Sequence, residues 1–177
     1  MLDSFTYNVI DGVTTYADPN TDKFIRDTFD SFVSKIKPKF PNSLKRIDSF
    51  IFCDPSYIEF VAGKGTMAYY INDSVILPCT VKEDDKLFFV ETLYHEFMHF
   101  IYELLPENIQ VIWYDYFDTW IENEVTLTRE YDKLDPEELF ADVGSFIYGP
   151  EHNDFIKEPS QIVVDVWKNL IESGFSQ

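Results

Sequence analysis

Residues 93–106 read LYHEFMHFIYELLP and place two of the three histidines four positions apart, with a glutamate directly after the first. On a helix, side chains four residues apart project from one face, a single turn apart. His95 and His99 can therefore both reach one metal ion at the roughly 2.0–2.1 Å typical of zinc–nitrogen bonds. The spacing predicts a helix built around a zinc site. The alternative is a buried helix whose histidines are hydrogen-bonded within the core.

Glu96 follows the first histidine and is turned by about 100° around the helix axis. It would lie beside the metal rather than on it, where a carboxylate can take a proton from the attacking water. We therefore predict that Glu96 is the general base of a metallohydrolase. Such a site needs a third protein ligand and one open position.

Candidates for the third ligand lie downstream of the predicted helix. The segment EELFADV, residues 137–143, places Glu138 and Asp142 one helical turn apart. If one carboxylate binds zinc, the other can orient a ligating imidazole. The alternatives are a capping box, in which Glu138 reaches back to Asp135, and a solvated outer-face position for Asp142. The remaining candidate ligands are Glu122, Glu124, Glu130, Glu137 and His152.

The first half of the chain carries strand patterns, and the second half carries helix patterns. Alternating apolar residues and turn signals predict strands over 4–10, 13–17, 46–53, 57–61 and, as a pair around Asn72-Asp73, within 63–78. Apolar periodicity, caps and prolines predict helices over 21–36, 84–105, 108–122, 135–148 and 160–174. This order predicts an α+β fold, with a small mixed or antiparallel sheet in the N-terminal half packed on a helical C-terminal half.

The length and the charge limit the possible functions. The 177 residues suit a single domain, 1–177, with a sheet and helix subregion at 1–82 and an active-site helical subregion at 83–177. The formal net charge of −18 repels phosphate backbones and anionic lipids, so we expect no nucleic-acid partner and no membrane partner. The same charge motivates an alternative function, a non-catalytic acidic interaction protein that is either a decayed protease or a DNA mimic.

The two cysteines and the N-terminus bear on the compartment. Cys53 and Cys79 are too few for a disulfide scaffold and lack CxxC spacing, so we predict two buried free thiols. No apolar run reaches the roughly 18 residues needed to span a bilayer. The N-terminus also lacks the features of a secretory signal. We expect a monomer that is either cytoplasmic or a secreted form whose signal has been removed. If it is cytoplasmic, one alternative is an intracellular protease that cuts a repressor or host factor.

Two motifs together resemble a known family. HEFMH followed by an ExxxD pattern resembles the glutamate-zincin metallopeptidases. More narrowly, REYDKLDPEELFADVGSFI, residues 129–147, is similar to the corresponding helix of anthrax lethal factor and the bacterial Pro-Pro endopeptidases. The matching features are Leu139-Phe140-Ala141 after the glutamate and a tyrosine seven residues before it. The resemblance extends over about residues 62–148, with identities confined to these motifs.

The resemblance implies a zincin-like endopeptidase domain that holds one Zn²⁺ per chain. It implies that His95, His99 and Glu138 are the zinc ligands. It further implies that Tyr131 stabilises the oxyanion with its hydroxyl and that Asp142 supports a ligand from outside the coordination shell.

The same resemblance predicts how a substrate is held. In such enzymes the strand before the active-site helix pairs with an extended peptide or protein substrate. Here that edge strand is predicted at Thr66–Tyr70. The predicted substrate contacts are Met67, Ala68 and Tyr69.

Overall fold

The computed structural model describes residues 5–123, 135–149 and 158–175, and within these residues the predicted α+β class is confirmed. The chain forms two compact units, residues 1–96 and 97–177. The division falls inside helix α3, Lys86–Glu103, which is continuous across it. In the described part of the chain, every helix is too short or too polar to cross a membrane.

The N-terminal unit contains an open five-stranded mixed sheet. Its strands are β1 (Thr6–Ile10), β2 (Val13–Ala17), β3 (Ser49–Cys53), β4 (Tyr69–Ile71) and β5 (Ser74–Pro78). The spatial order is β1-β2-β3-β5-β4, with parallel pairing of β2 with β3 and of β3 with β5. The two outer pairs are antiparallel hairpins, as the sequence predicts. Asp11-Gly12 forms the first turn with φ values of 53° and 90°, a backbone that glycine adopts without strain.

The two edge strands of this sheet differ. One edge strand is β1. In this strand the backbone amide of Val9 donates a hydrogen bond of 2.8 Å to the side-chain Oδ1 of Asn8. At the opposite edge lies β4, which is paired on its inner side with β5. Of the edge strand predicted at Thr66–Tyr70, Tyr69 and Tyr70 belong to β4 and the first three residues do not. The regular strand is shorter than predicted because pairing begins only at Tyr69.

Aromatic side chains fill the space between the sheet and helix α1, Lys23–Ile36. Phe29 lies 4.9 Å from Phe50 and 5.3 Å from Phe52, between ring centroids. Phe32 contacts Phe50 as well and reaches Tyr94 of α3 at 5.0 Å. Phe29 and Phe32 lie on one face of the amphipathic helix α1. This periodic apolar face is why the helix over 21–36 is predicted correctly.

The strand predicted at residues 57–61 is wrong, because these residues lie in helix α2, Pro55–Ala62. Asp54 caps this helix, accepting a hydrogen bond of 2.8 Å from the amide of Ser56, and Pro55 occupies its first turn. An Asp-Pro pair is a helix start signal that outweighs a short run of β-prone residues. Ile58 anchors α2 to the sheet beside Cys53 and Ile76.

The C-terminal unit is helical in its described residues. It comprises the end of α3 with α4 (Glu107–Glu122), α5 (Pro136–Tyr148) and α6 (Gln161–Phe175), all at predicted positions. Phe140 of α5 is fully buried and contacts the rings of Tyr102, Trp113 and Trp167. The Trp167 indole N–H donates to the Phe140 carbonyl at 2.9 Å, so a large apolar side chain is buried without an unpaired donor.

Gly144 lets α5 pack closely against its neighbours. A Cβ at this position would lie 2.6 Å from Met98 Cγ and 2.8 Å from Trp167 Cζ2. Real Cβ atoms do not approach other atoms so closely, so the absence of a side chain sets the distance between α5 and the end of α3.

Candidate metal centre

Helix α3 supplies the two histidines of the predicted site. A 3₁₀ turn at Glu83–Asp85 leads into the helix, which continues through both residues without a break. His95 is 8% exposed and the His99 side chain 16% exposed. Both imidazoles are thus partly shielded from water and lie one helical turn apart, as the sequence predicts.

Helix α5 supplies a carboxylate opposite the second histidine. Asp135 caps the helix by accepting a hydrogen bond of 2.9 Å from the amide of Glu137, and Pro136 follows it. This local start places Glu138 in the first turn. Its Oε1 lies 3.6 Å from Nε2 of His99. The start of α5 therefore brings a carboxylate to an imidazole.

The three predicted ligands form one group. His95, His99 and Glu138 each offer a ligand atom, and these atoms all lie within 4.8 Å of one another. Two ligands at tetrahedral angles on zinc are about 3.4 Å apart, given bonds of roughly 2.0–2.1 Å. The 3.6 Å separation of His99 and Glu138 is close to that value. The donor set fits a zinc ion.

No family model, curated protein or solved structure matches the chain. The interpretation of the site therefore depends on its own geometry.

Two further carboxylates belong to the same helices. Glu96 is 9% exposed and adjoins the first histidine on α3. Asp142 is 0% exposed and lies one turn after Glu138 on α5. This burial excludes the solvated outer-face position considered for Asp142. Buried carboxylates are costly unless other groups compensate their charge, so Asp142 requires polar or charged neighbours.

The predicted oxyanion tyrosine and the remaining candidate ligands either lie outside the described residues or do not belong to the group of three ligands that the structure brings together. Tyr131 lies outside the described residues, as do Glu124, Glu130 and His152. Glu122 is exposed at the end of α4. Glu137 accepts a hydrogen bond of 3.5 Å from the Tyr114 hydroxyl.

The tyrosine beside Glu137 was not expected from the sequence. Tyr114 projects from α4 towards the start of α5, next to the residue that precedes Glu138. Burial raises the pKa of Glu137, and the nearby Asp135 carboxylate raises it further. The only available signal was the helical phase of Tyr114, which cannot identify its neighbour on another helix.

The three residues predicted to contact substrate differ in their burial and in what they line. Met67 lines a cavity in the N-terminal unit. Ala68 is 6% exposed, and Tyr69 packs against the Cys53–Ile58–Ile76 cluster. Near β4, Met67 lines the cavity, whereas Tyr69 is partly buried against the Cys53–Ile58–Ile76 cluster.

Proposed function

We propose that the protein is a zinc-dependent endopeptidase of the zincin type. The observation that carries this proposal is the grouping of His95, His99 and Glu138, whose ligand atoms lie within 4.8 Å of one another. Two imidazoles and one carboxylate are the protein ligands of many hydrolytic zinc sites, in which a fourth position stays open. A zinc ion held there would supply Lewis-acid polarisation of a water molecule and of the peptide carbonyl.

Glu96 acts as the general base in this proposal. Its carboxylate takes a proton from the attacking water, and the water oxygen forms a bond to the carbonyl carbon. The carboxylate then delivers the proton to the leaving amine as the peptide C–N bond breaks. Support comes from its sequence position beside His95 and from its 9% exposure, which limits competing bulk water.

Two other residues have supporting roles. Asp142 is a positioning residue, since a buried carboxylate one turn from Glu138 is suited to holding a ligating side chain in place. Tyr131, by resemblance to the family, donates its hydroxyl hydrogen to the developing oxyanion. A donor aimed at that charge is worth about 3 kcal/mol in comparable sites.

The substrate is an extended peptide that pairs with β4. This strand is at the sheet edge, so its outer main-chain groups can accept an added strand. Because the Tyr69 side chain is partly buried against the Cys53–Ile58–Ile76 cluster, the pairing depends mainly on main-chain hydrogen bonds. Such binding fixes the direction and register of a peptide with little dependence on its sequence.

The metal content of the purified protein tests the site. We expect about one zinc per wild-type chain by mass spectrometry, and a loss of that zinc in His99→Ala and in Glu138→Gln. Glu137→Gln is the matched control, because it removes the adjacent carboxylate, which is outside the grouped ligands. A wild-type protein that takes up no zinc when zinc is supplied would contradict the proposal.

Loss of the general base tests the reaction separately. Glu96→Gln is expected to keep its zinc and to cleave peptides about 10²–10⁴ times more slowly, the usual contribution of acid–base catalysis. Glu103→Gln, at an exposed position on the same helix, controls for the change of charge. The enzymatic proposal fails if zinc-loaded wild type cuts no member of a diverse peptide library.

A non-catalytic acidic interaction protein is the second candidate function, and the net charge of −18 favours it. A surface of this sign attracts basic partners through long-range forces that salt weakens. Binding to a DNA-handling protein that DNA competes away would support this function. Zinc-dependent cleavage lost in Glu96→Gln would argue against it.

A further inference from the structure

A cavity of about 400 Å³ lies beside the sheet edge in the N-terminal unit. Its walls come from three separate segments: the start of α2, the loop before β4, and the chain from the end of β5 into α3. The apolar lining residues are Pro55, Met67, Pro78, Val81 and Phe88. Charged groups of both signs accompany them at Glu59, Lys82 and Asp85.

Helix α3 relates this cavity to the first histidine. Phe88 and His95 are seven residues apart on the helix, which places them on nearly the same face, two turns apart. At a rise of 1.5 Å per residue, the axial separation is about 10.5 Å. An extended peptide advances about 3.3 Å per residue, so about three residues cover that distance.

The approach to β4 supplies the opposite wall. Gly65, Thr66 and Met67 line the cavity and lead directly to the edge strand at Tyr69. A peptide paired with that edge can therefore reach the cavity with one side chain without leaving its extended path. The cavity wall ends at Met67, two residues before the strand to which the substrate is assigned.

The lining discriminates among side chains. Phe88 offers an aromatic ring, and Met67 offers a thioether that makes favourable contacts with aromatic edges. Lys82 offsets one of the two carboxylates, so the local charge favours a cationic occupant only weakly. An aromatic ring gains specific contacts from both apolar partners, whereas a branched aliphatic side chain gains only burial.

We propose that this cavity is a specificity pocket for an aromatic side chain of the substrate, about three residues from the cleaved bond. The pocket's place in catalysis rests on the proposed endopeptidase function. An aromatic group at that position makes its contacts at Met67 and Phe88, while the main chain pairs with β4.

Cleavage of a peptide library by zinc-loaded protein tests this pocket. We expect wild type to favour Phe or Tyr over Leu and Arg at one position about three residues from the cut, by about fivefold. The preference should vanish in Met67→Ala and in Phe88→Leu. Leu87→Ala is the matched control, because Leu87 adjoins Phe88 on α3 but is 47% exposed and outside the lining. Thermal unfolding verifies that each variant is folded.

A second measurement does not require activity. The chain has three methionines, so ¹³C labelling of their methyl groups gives a simple spectrum in which Met67→Leu identifies one signal. N-acetyl-phenylalanine amide should shift the Met67 signal and leave that of buried Met98 unchanged, while the leucine amide shifts neither.

The outcomes separate the two proposals. Aromatic-selective shifts at Met67 without any cleavage would uphold the pocket and overturn the endopeptidase. Cleavage without an aromatic preference, or with one that survives both pocket variants, would overturn the pocket alone. No cleavage and no selective shift would overturn both.

Discussion

Asp142 is a fully buried carboxylate on a helix whose other inward side chains are mostly apolar. In the proposed role, it fixes a ligating group rather than binding the metal. Asp142→Asn keeps the shape and removes the charge, so we expect zinc affinity to fall by about 10–100-fold. Titration against a competing chelator measures this change.

The control for this prediction is Asp118→Asn, which makes the same change at an exposed position on α4. It should leave zinc affinity unchanged. If Asp142→Asn binds zinc as tightly as wild type while remaining folded, Asp142 has no positioning role.

The two thiols should be inert in the folded protein. Cys53 and Cys79 are free and buried, and burial raises the pKa of each from 9.0 to about 11. At pH 8, thiols with a pKa of about 11 carry roughly 100 times less reactive thiolate than thiols with a pKa of 9.0. Iodoacetamide labelling of the native protein should therefore be about 100-fold slower than in denaturant.

The raised pKa values of Cys53 and Cys79 also determine how these thiols make the free energy of unfolding depend on pH. Below pH 9 both states keep their thiols protonated, whereas between pH 9 and 11 the unfolded chain ionises first. The contribution to folding is complete below pH 9 and is lost as the pH rises towards 11. Equal labelling rates in native and denatured protein at pH 8 would contradict the raised pKa values.

At the scale of elements, the contact of α5 with the end of α3 depends on Gly144. In Gly144→Ala, the new methyl group must displace Met98 or Trp167, both of which are buried. We expect a loss of about 1–3 kcal/mol in the free energy of unfolding, which denaturant titration measures. Because Glu138 is on the same helix, zinc affinity should fall as well.

Thr119→Ala is a control on the exposed face of α4, where it removes a hydroxyl and a methyl group that are not enclosed by other side chains, and it should change stability by much less. An unchanged unfolding midpoint in Gly144→Ala would mean that α5 can shift without cost.

The elements show where sequence information is sufficient. His95 and His99 share one helix, so their proximity follows from spacing alone. The partnership of His99 with Glu138 joins two helices. Helical spacing offers Glu138 and Asp142 as alternatives, and only the resemblance to a family selects Glu138. The pattern of residues 57–61 alone predicts a strand, because the decisive helix signal, Asp54-Pro55, lies outside that run. The cavity was not predicted because its walls come from separate segments.

At the scale of the whole molecule, the charge of −18 should affect how fast the peptides proposed as substrates associate. Basic peptides are attracted over distances that salt shortens, from about 10 Å at 0.1 M to about 3 Å at 1 M. We expect kcat/KM for a peptide with lysine-rich flanks to fall about tenfold between 0.02 and 0.5 M salt. Steady-state rates over this range measure the effect.

The control is a neutral peptide with the same central residues, whose kcat/KM should change little over this range. Equal salt dependence for the two peptides would show that the net charge does not act on the encounter.

The two edge strands of the sheet differ in how readily they can pair with an added strand. On β1, the Val9 amide already bonds to the Asn8 side chain, so an incoming strand would have to break that bond first. The β4 edge lies at the other end of the same sheet. A sheet that recruits a strand at one end only cannot link copy to copy into a fibre. The Asn8–Val9 hydrogen bond on β1 thus limits polymerisation of the protein through that edge.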